Sequence, residues 1–245
     1  MTRAGVRLLG CLLIAASLLG GTGCKSTNII STKEEVRIGR DAAEEISRRY
    51  RVLEDTPDAR RVASIGARII EHNDKREGVP YSFRVLDLKE VNAVSLPGGP
   101  VYVYRGLLDL LGNDIDALAC VIAHEVAHID ARHSAKQMSQ QIIANVGILV
   151  LVKGSTARDI ASLTTSLLNM SYSRSDEYEA DHRALSYAHK AGYKATGLLT
   201  FFKRLRELEQ SKNQGVELLR THPLTAARID RAQKIIEKQD YRFGR

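Results

Sequence analysis

The sequence of 245 residues contains no tryptophan, and aromatic residues make up only 5% of it. Extended aromatic stacking surfaces are therefore not expected. The formal net charge is +7, but lysine and arginine are scattered along helical segments beside glutamate and aspartate instead of forming one block. We interpret them as solvated helix faces and expect no nucleic-acid partner, although a weak preference for anionic surfaces stays open.

The sequence also lacks a long apolar run. Residues 8–19 are apolar, but this stretch is too short for a comfortable membrane span. Arg3 and Arg7 precede it and small residues follow it, as in a secretory leader. Residues 1–23 are therefore predicted to be a signal peptide and not part of the fold.

A cysteine follows this leader. Residues 20–23 are small and lead to Cys24, which resembles the cleavage site of a bacterial lipoprotein, although Gly21 stands where leucine is usual. Cys24 would then carry lipid, and residues 24–32 would form a tether. Lys25, in place of aspartate, indicates by analogy the periplasmic side of the outer membrane. Plain secretion and an uncleaved anchor are the alternatives.

The three cysteines leave no pair for an internal disulfide. Cys11 lies in the leader, where a second lipoprotein-like pattern has almost no apolar run before it. With Cys24 lipidated, only Cys120 stays in the folded chain. It lies in an apolar helical run, and we expect it to be a small buried hydrophobe.

Apolar residues make up 44% of the chain, enough for one sizeable domain, predicted at 33–240. Helices are predicted near 32–50, 58–71, 141–152, 158–170, 175–191, 195–211 and 224–238, and strands near 81–87, 92–96 and 101–104. The first helix should begin at Ser31 or Thr32, each with a glutamate three residues on. The segment 141–152 is too short to span a bilayer, so a buried helix is favoured over membrane contact. We expect a mostly helical α+β fold with one small β-sheet.

The most informative motif is His-Glu-Val-Ala-His at residues 124–128. An apolar run over residues 115–123, with Asn113 or Asp114 as the N-cap, predicts a helix with one buried face. Two histidines four residues apart project from one side of a helix and can bind one metal ion. Glu125 can take a proton from a water at that metal. An ordinary core helix with two histidines is the alternative.

A catalytic zinc site uses three protein ligands and keeps one position open. Candidates for the third ligand lie in the acidic segment 173–181. Glu177 and Asp181 are four residues apart and share a helix face, whereas Glu179 points away from it. One carboxylate of the pair can bind metal while the other supports a ligand histidine. A solvated run of charges is the alternative.

The pattern His-Glu-x-x-His, followed some fifty residues later by Glu-x-x-Ala-Asp at 177–181, resembles the HtpX and CAAX prenyl-protease type of zinc metallopeptidase. It is most similar to the soluble periplasmic, lipoprotein and mitochondrial quality-control members, over about residues 33–235. Other matching segments are Asn92-Ala93, Leu96-Pro97-Gly98-Gly99, Arg105-Gly106-Leu107-Leu108, Arg132-His133, Ser171-Tyr172-Ser173-Arg174, and Thr221-His222-Pro223 with Arg228. The multiple long spans of the membrane-embedded members are missing, so prenylated substrates and an intramembrane chamber are not expected.

The resemblance implies a zincin-like domain, with the sheet beside the motif helix, and one Zn²⁺ ion per chain. His124, His128 and Glu177 would bind the zinc. Glu125 would be the general base and then the proton donor, and Asp181 would orient a ligand histidine.

The resemblance also implies that His222 lies near the metal. There it would either occupy the open position and keep the enzyme latent, or stabilise the oxyanion. Arg228 would assist in the same pocket. Because His222 precedes a proline, it could instead cap a helix that starts at 224.

Neighbouring residues have simpler interpretations. His133, five residues after His128, lies on a different helix face and is expected to support the site or lie at the surface. Asp130 is expected to do the same. Tyr102 and Tyr104 are expected to pack within a strand.

Together these features predict a zinc endopeptidase for misfolded or damaged envelope proteins. Its unfolded or misassembled protein substrates would pair with a strand edge at 92–96 or at 101–104. The rival is a latent protease that acts mainly as a chaperone or assembly factor for outer-membrane proteins. A structural zinc module is a weaker rival, because the usual cysteine ligands are missing. The oligomeric state has no signature in the sequence.

Overall fold

The structure, a computed structural model, describes residues 28–144, 156–211, 216–239 and 241. Its helices are α1 (Thr32–Arg49), α2 (Pro57–Glu71), α3 (Arg105–Leu111), α4 (Ile115–Asp130), α5 (His133–Ala144), α6 (Ala157–Leu168), α7 (Arg174–Lys190), α8 (Gly197–Ser211), α9 (Glu217–Thr221) and α10 (Ala226–Lys238). Its strands are β1 (Val52–Leu53), β2 (Ser82–Leu86), β3 (Ala93–Ser95) and β4 (Pro100–Tyr104). The predicted α+β fold, mostly helical with one small sheet, is confirmed.

The helix predicted at 141–152 is described only in part. Residues 141–144 belong to α5, which begins earlier than predicted, and the rest lie outside the described residues, as do the predicted leader and residues 24–27 of the tether. The sequence did not predict β1, α3, α9 or the first turns of α5, because short elements hold too few residues for a periodic pattern. None of the helices in the described part of the chain is long and apolar enough to cross a membrane.

Side-chain caps determine where the main helices begin. The Ser31 side chain accepts from the backbone of Glu34, whose carboxylate binds back to Ser31, which selects Ser31 from its two candidates. Asp114 is the N-cap of α4, and its side chain accepts a hydrogen bond from the backbone N–H of Ala117. Ser173 and Asp176 form a capping box at the start of α7. These caps satisfy backbone N–H groups that have no partner inside the helix.

The sheet has the strand order β1-β2-β4-β3. β2 and β4 run parallel, whereas the two outer pairs are antiparallel. The proposed substrate edge at 101–104 is wrong, because these residues belong to β4, which pairs on both sides. Residues 92–96 contain β3, which pairs only with β4 among the described strands and keeps one free edge.

The sheet separates two apolar clusters, because successive strand residues point to opposite faces. Val85 and Val103 belong to the larger cluster, with residues of α2, α4, α7, α8 and α10. Tyr102 and Tyr104 belong to the other cluster, with residues of α1, α5 and α6, as the sequence predicted. Helices therefore cover both faces of the sheet, and every residue of β4 is buried.

Helix α4 is buried on every side after its first two residues and before its last. Each residue from Ala117 to Ile129 is buried, because α2, α7, α8 and the strands β3 and β4 pack around it. The prediction of one buried face was too narrow: apolar and small residues around the whole circumference suit a central helix. Cys120 is fully buried, as expected.

Helix α8 approaches α4 closely at Gly197. A Cβ atom at this position would lie 2.4 Å from the carbonyl carbon of Asp116, so any larger residue would push the two helices apart. The Asp116 side chain also accepts a hydrogen bond from the backbone N–H of Lys194, at 2.9 Å. These contacts hold α8, with its apolar side chains, against α4.

A buried carboxylate joins the first helix to the end of α4. Glu35 is 1% exposed and accepts hydrogen bonds from Arg76 at 3.1 Å and from Arg132 at 2.6 Å. Arg76 also donates to the carbonyl of Ile129 at 2.7 Å, and Arg132 donates to that of Ile30. Arg132 has a φ of +59°, which is unfavourable for any residue other than glycine. The ion pair therefore stabilises the residue that turns the chain from α4 into α5.

Glu35→Gln should lower the free energy of unfolding by about 2 kcal/mol, because two arginines lose their shared charged acceptor in a buried position. Glu44→Gln removes the same charge from an exposed position of the same helix. This control should change the free energy of unfolding by less than about 0.5 kcal/mol. Urea unfolding followed by circular dichroism measures both, and equal stability of the two variants would show that the buried ion pair is dispensable.

Candidate metal centre

Helix α4 brings the two motif histidines together. His124 and His128 are one helical turn apart, and both are buried. Their Nε2 atoms lie 3.0 Å from each other. Two buried ring nitrogens that point to the same place are arranged to share one ligand.

Two other parts of the chain add donor atoms at this place. In α7, Glu177 places Oε1 3.5 Å from Nε2 of His128 and Oε2 3.6 Å from Nε2 of His124. After α9, His222 places Nδ1 2.9 Å from Oε1 of Glu177 and 3.4 Å from Nε2 of His124. All four side chains are buried, and their donor atoms lie within 4.8 Å of one another.

This donor set fits a tetrahedral zinc ion. Ligands about 2.0–2.1 Å from zinc lie about 3.3 Å from one another in a regular tetrahedron. The five separations given above run from 2.9 to 3.6 Å, and no separation in the set exceeds 4.8 Å. Imidazole nitrogen and carboxylate oxygen are also donors that zinc accepts.

The charges near the donors favour a divalent cation as well. Glu125, Glu177 and Asp181 are buried carboxylates, and Arg228 is the buried guanidinium beside them. When the histidines are neutral, these four groups carry a net charge of −2. Because uncompensated buried charge is costly, a divalent cation would stabilise the cluster.

Asp181 and Arg228 contact the side chains that carry the donor atoms. Oδ1 of Asp181 lies 3.1 Å from Nδ1 of His124, which leaves Nε2 of that ring for the donor cluster. Arg228 donates to both oxygens of Asp181, at 2.7 and 2.8 Å. Its Nη1 lies 2.5 Å from Oε2 of Glu177 and donates to the carbonyl of Pro223 at 3.1 Å. Helices α7 and α10 are therefore joined by buried ion pairs.

The electrostatics of the cluster keep Asp181 and Glu177 ionised. Burial alone raises the pKa of Asp181, but hydrogen bonds and charge from Arg228 outweigh burial and hold that pKa below its usual value. Burial also opposes ionisation of Glu177, yet the charge of His222 and a hydrogen bond from His128 hold its pKa well below the usual range. Burial lowers the pKa of His128 far below its usual value, which favours the neutral imidazole that a metal requires.

Glu125 lies beside the donor cluster. Its Oε1 is 3.7 Å from Nε2 of His222, and its buried Oε2 has no hydrogen-bond partner among the described residues. Because buried carboxylate oxygens normally have partners, an unpaired one indicates a group available to a water or a substrate. Next to Glu125 lies a cavity of about 20 Å³, lined mainly by apolar side chains, which has room for about one water molecule.

The residues predicted for the site meet in one buried region: His124, Glu125, His128, Glu177, Asp181, His222 and Arg228. The side chain of Glu179 is 47% exposed and pairs with Arg183, so it faces away as predicted. The alternative for His222, a cap for a helix starting at 224, is wrong. Helix α10 begins at Ala226 and Thr225 is its N-cap.

Further side chains surround the ring of His128. Nδ1 of His133 lies 2.9 Å from Nδ1 of His128, so His133 supports the site and does not lie at the surface. Tyr172 stacks on the ring, with centroids 3.9 Å apart, and its hydroxyl forms a 2.9 Å hydrogen bond with Ser134. Sequence reasoning missed the role of Tyr172, which was only part of a matching segment. The contact arises because the link before α7 folds back over α4.

A comparison with protein families gives the chain its classification. The model of peptidase family M48 matches residues 57–236, which include every residue of the site. The chain belongs to peptidase family M48. This membership confirms the resemblance to HtpX-type metallopeptidases.

Three members of the family illustrate the similarity. The beta-barrel assembly-enhancing protease of Escherichia coli K12 is 25% identical over 227 residues, covering 88% of this chain and 46% of that protein. The mitochondrial metalloendopeptidase OMA1 of Saccharomyces cerevisiae is 32% identical over 173 residues, covering 68% of this chain and 50% of that protein. The metalloprotease LoiP of Escherichia coli K12 is 29% identical over 170 residues, covering 66% of this chain and 64% of that protein. The chain spans about half the length of the first two.

Arg228→Lys should lower the free energy of unfolding of the metal-free protein by about 3 kcal/mol. Lysine cannot donate to both oxygens of Asp181 and still reach Glu177, so two buried carboxylates lose part of their compensation. Urea unfolding measures the change.

Arg231→Lys is the matched control on the same helix. Arg231 is exposed and lies 4.4 Å above the ring of Tyr178, so the substitution should cost less than about 1 kcal/mol. If Arg228→Lys is as stable as Arg231→Lys, the buried ion pairs do not stabilise the junction of α7 and α10.

Proposed function

We propose that the chain is a zinc-dependent endopeptidase that hydrolyses peptide bonds of misfolded or damaged envelope proteins. One Zn²⁺ ion would be held by His124, His128 and Glu177, and Glu125 would be the general base. The observation that carries this proposal is the buried set of converging donor atoms beside an unpaired oxygen of Glu125. Membership of peptidase family M48 supports it.

The chemistry divides between the metal and the chain. Zinc at such a site polarises the scissile carbonyl and lowers the pKa of a water to about 7. Glu125 takes the proton with its unpaired Oε2 and delivers it to the leaving amine. Its place one residue after His124 keeps its carboxylate beside the donor atoms and out of the donor set. Because Glu125 is buried, it can exchange this proton with the substrate and not with bulk water.

Asp181 and Arg228 would position the groups that bind metal. Asp181 faces Nδ1 of His124 and favours the tautomer whose Nε2 is free to bind. Arg228 keeps Asp181 ionised through its hydrogen bonds and charge, and it forms an ion pair with Glu177. It also lies 3.4 Å from the carbonyl of His222, and so links the two carboxylates to the segment that carries His222.

Extended polypeptide is the proposed substrate. The outer edge of β3 is unpaired among the described strands, and β3 packs against α4. Every residue of β3 is buried, so a peptide would add to this edge once it is uncovered and would then run beside the site. Pairing through the backbone depends little on side-chain identity. This mode of binding therefore favours unfolded or misassembled proteins over one folded target.

The outer membrane is the proposed location. The predicted lipid-carrying Cys24 would anchor the chain there on the periplasmic side, and Lys25 favours this destination over the inner membrane. The name of the beta-barrel assembly-enhancing protease of Escherichia coli K12 supports a role near the assembly of beta-barrel proteins.

Glu125→Gln should reduce cleavage of an unfolded, fluorescently labelled model protein by at least about a hundredfold, because general acid–base catalysis contributes about 10²–10⁴-fold. The zinc content should remain one ion per chain, since Glu125 is not among the donors. Fluorescence and elemental analysis measure the two quantities. Glu207→Gln, an exposed control on α8, should cleave like the wild type. A Glu125→Gln protein with the wild-type rate would overturn the mechanism.

A latent form is the second candidate function, in which the chain acts mainly as a chaperone or assembly factor for outer-membrane proteins. Nδ1 of His222 lies in the donor set, at the fourth position, which a catalytic zinc site keeps open. The cavity of about 20 Å³ beside Glu125 also has too little room for most substrate side chains. Both observations favour a resting conformation in which His222 blocks hydrolysis until it moves.

His222→Ala should raise the basal rate of cleavage about tenfold, because removing the blocking imidazole increases the population of the competent conformation. Initial rates with zinc-loaded protein measure the effect. His182→Ala, an exposed control on α7, should leave the rate unchanged. A fall in rate for His222→Ala would contradict latency and favour stabilisation of the oxyanion by His222.

A further inference from the structure

His133 is a buried polar residue that the proposed reaction does not use. It begins α5, five residues after His128, and is 2% exposed. The turn between α4 and α5 directs its ring back over α4, where its Nδ1 lies 2.9 Å from Nδ1 of His128. The two rings meet edge to face, with centroids 4.9 Å apart.

The hydrogen bond between these rings has only one direction when Nε2 of His128 binds a metal. The proton of His128 is then on Nδ1, and Nδ1 of His133 must accept it. His133 therefore carries its own proton on Nε2. That nitrogen faces two carboxylates, Asp176 at 3.6 Å and Glu179 at 3.5 Å. These separations are long for direct hydrogen bonds, but the negative charges still favour a proton on this side of the ring.

The turn that places His133 over α4 is stabilised by an ion pair outside the site. Arg132 precedes His133 with a φ of +59° and donates to Glu35 of α1.

Tyr172 holds the ring of His128 from another side. The two rings stack face to face, with centroids 3.9 Å apart. The ring is therefore fixed by an acceptor at Nδ1 and by stacking on its face.

We infer that His133 is a positioning residue for His128: it accepts the Nδ1 proton of His128 and thereby keeps Nε2 directed at the donor cluster. The inference rests on the proposed zinc-dependent function. Asp181 occupies the equivalent position at Nδ1 of His124, so each motif histidine has its own partner. Removing a partner of this kind weakens metal affinity by about 10–100-fold.

A role in packing alone predicts a different outcome. Leucine resembles histidine in volume but offers no acceptor. Asparagine places an amide oxygen near the position of Nδ1, whereas glutamine places its amide nearer the position of Nε2. If His133 acts as the acceptor, asparagine should substitute well and both leucine and glutamine poorly. If packing alone matters, leucine should do at least as well as asparagine.

The zinc affinity of the full chain, measured by competition with a chromogenic chelator, tests the inference. His133→Leu and His133→Gln should bind zinc about 10–100-fold more weakly than the wild type, and His133→Asn should stay within about threefold. His72→Leu is an exposed control at the end of α2 and should bind zinc like the wild type. The unfolding midpoint of each metal-free variant reports folding independently of the metal.

Each outcome has a separate meaning. Wild-type affinity in the leucine and glutamine variants would overturn the inference and leave the proposed function intact. An asparagine variant as weak as the other two would overturn it as well, because restoring the acceptor would then have no effect. If His133→Leu does not fold, the comparison of asparagine with glutamine decides. A wild-type chain that binds no zinc would overturn the proposed function itself.

Discussion

Two imidazole rings on one turn of a central helix, buried from Ala117 to Ile129, determine how the rest of this site is arranged. His124 and His128 direct their Nε2 atoms to one place inside the protein, 3.0 Å apart. Because buried polar groups need partners, the elements around α4 have to provide polar groups as well as apolar packing. Helix α7 provides carboxylates, the segment after α9 provides a third imidazole, and α10 provides a guanidinium. The helices that bury α4 therefore also build the candidate metal centre.

The four donors are not held equally firmly. Three of them lie on the long helices α4 and α7, which pack extensively on each other. His222 instead lies between the short helix α9 and a proline, in a connecting segment. Arg228 contacts the carbonyl of His222 at 3.4 Å, whereas its contacts with Asp181 are shorter and paired. The proposed latent form requires a movement of this connecting segment, which would displace His222 without moving α4 or α7.

The sequence predicts the parts of this site that depend on local spacing. The motif histidines and the pair of Glu177 and Asp181 are each four residues apart, and helical geometry alone places each pair on one face. His222 and Arg228 required the resemblance to a family, because no local periodicity relates them to α4. The support from His133 depends on the turn at Arg132, whose φ no pattern indicated. The sequence left β4 as a candidate substrate-binding edge, because a run of β-branched and aromatic residues has the same pattern in an edge strand and in an interior strand.

The donor residues come from distant parts of the chain, and this spacing has a consequence for biogenesis. His124 and His222 are separated by 98 positions, and the guanidinium that compensates the carboxylates follows later still, in α10. While the chain is being synthesised, the motif helix is finished long before the elements that complete its surroundings. The nascent or unfolded chain therefore has no assembled hydrolytic centre. Under the proposed function, peptide-bond cleavage would become available only after these elements have packed together, which would protect the chain from its own activity during synthesis.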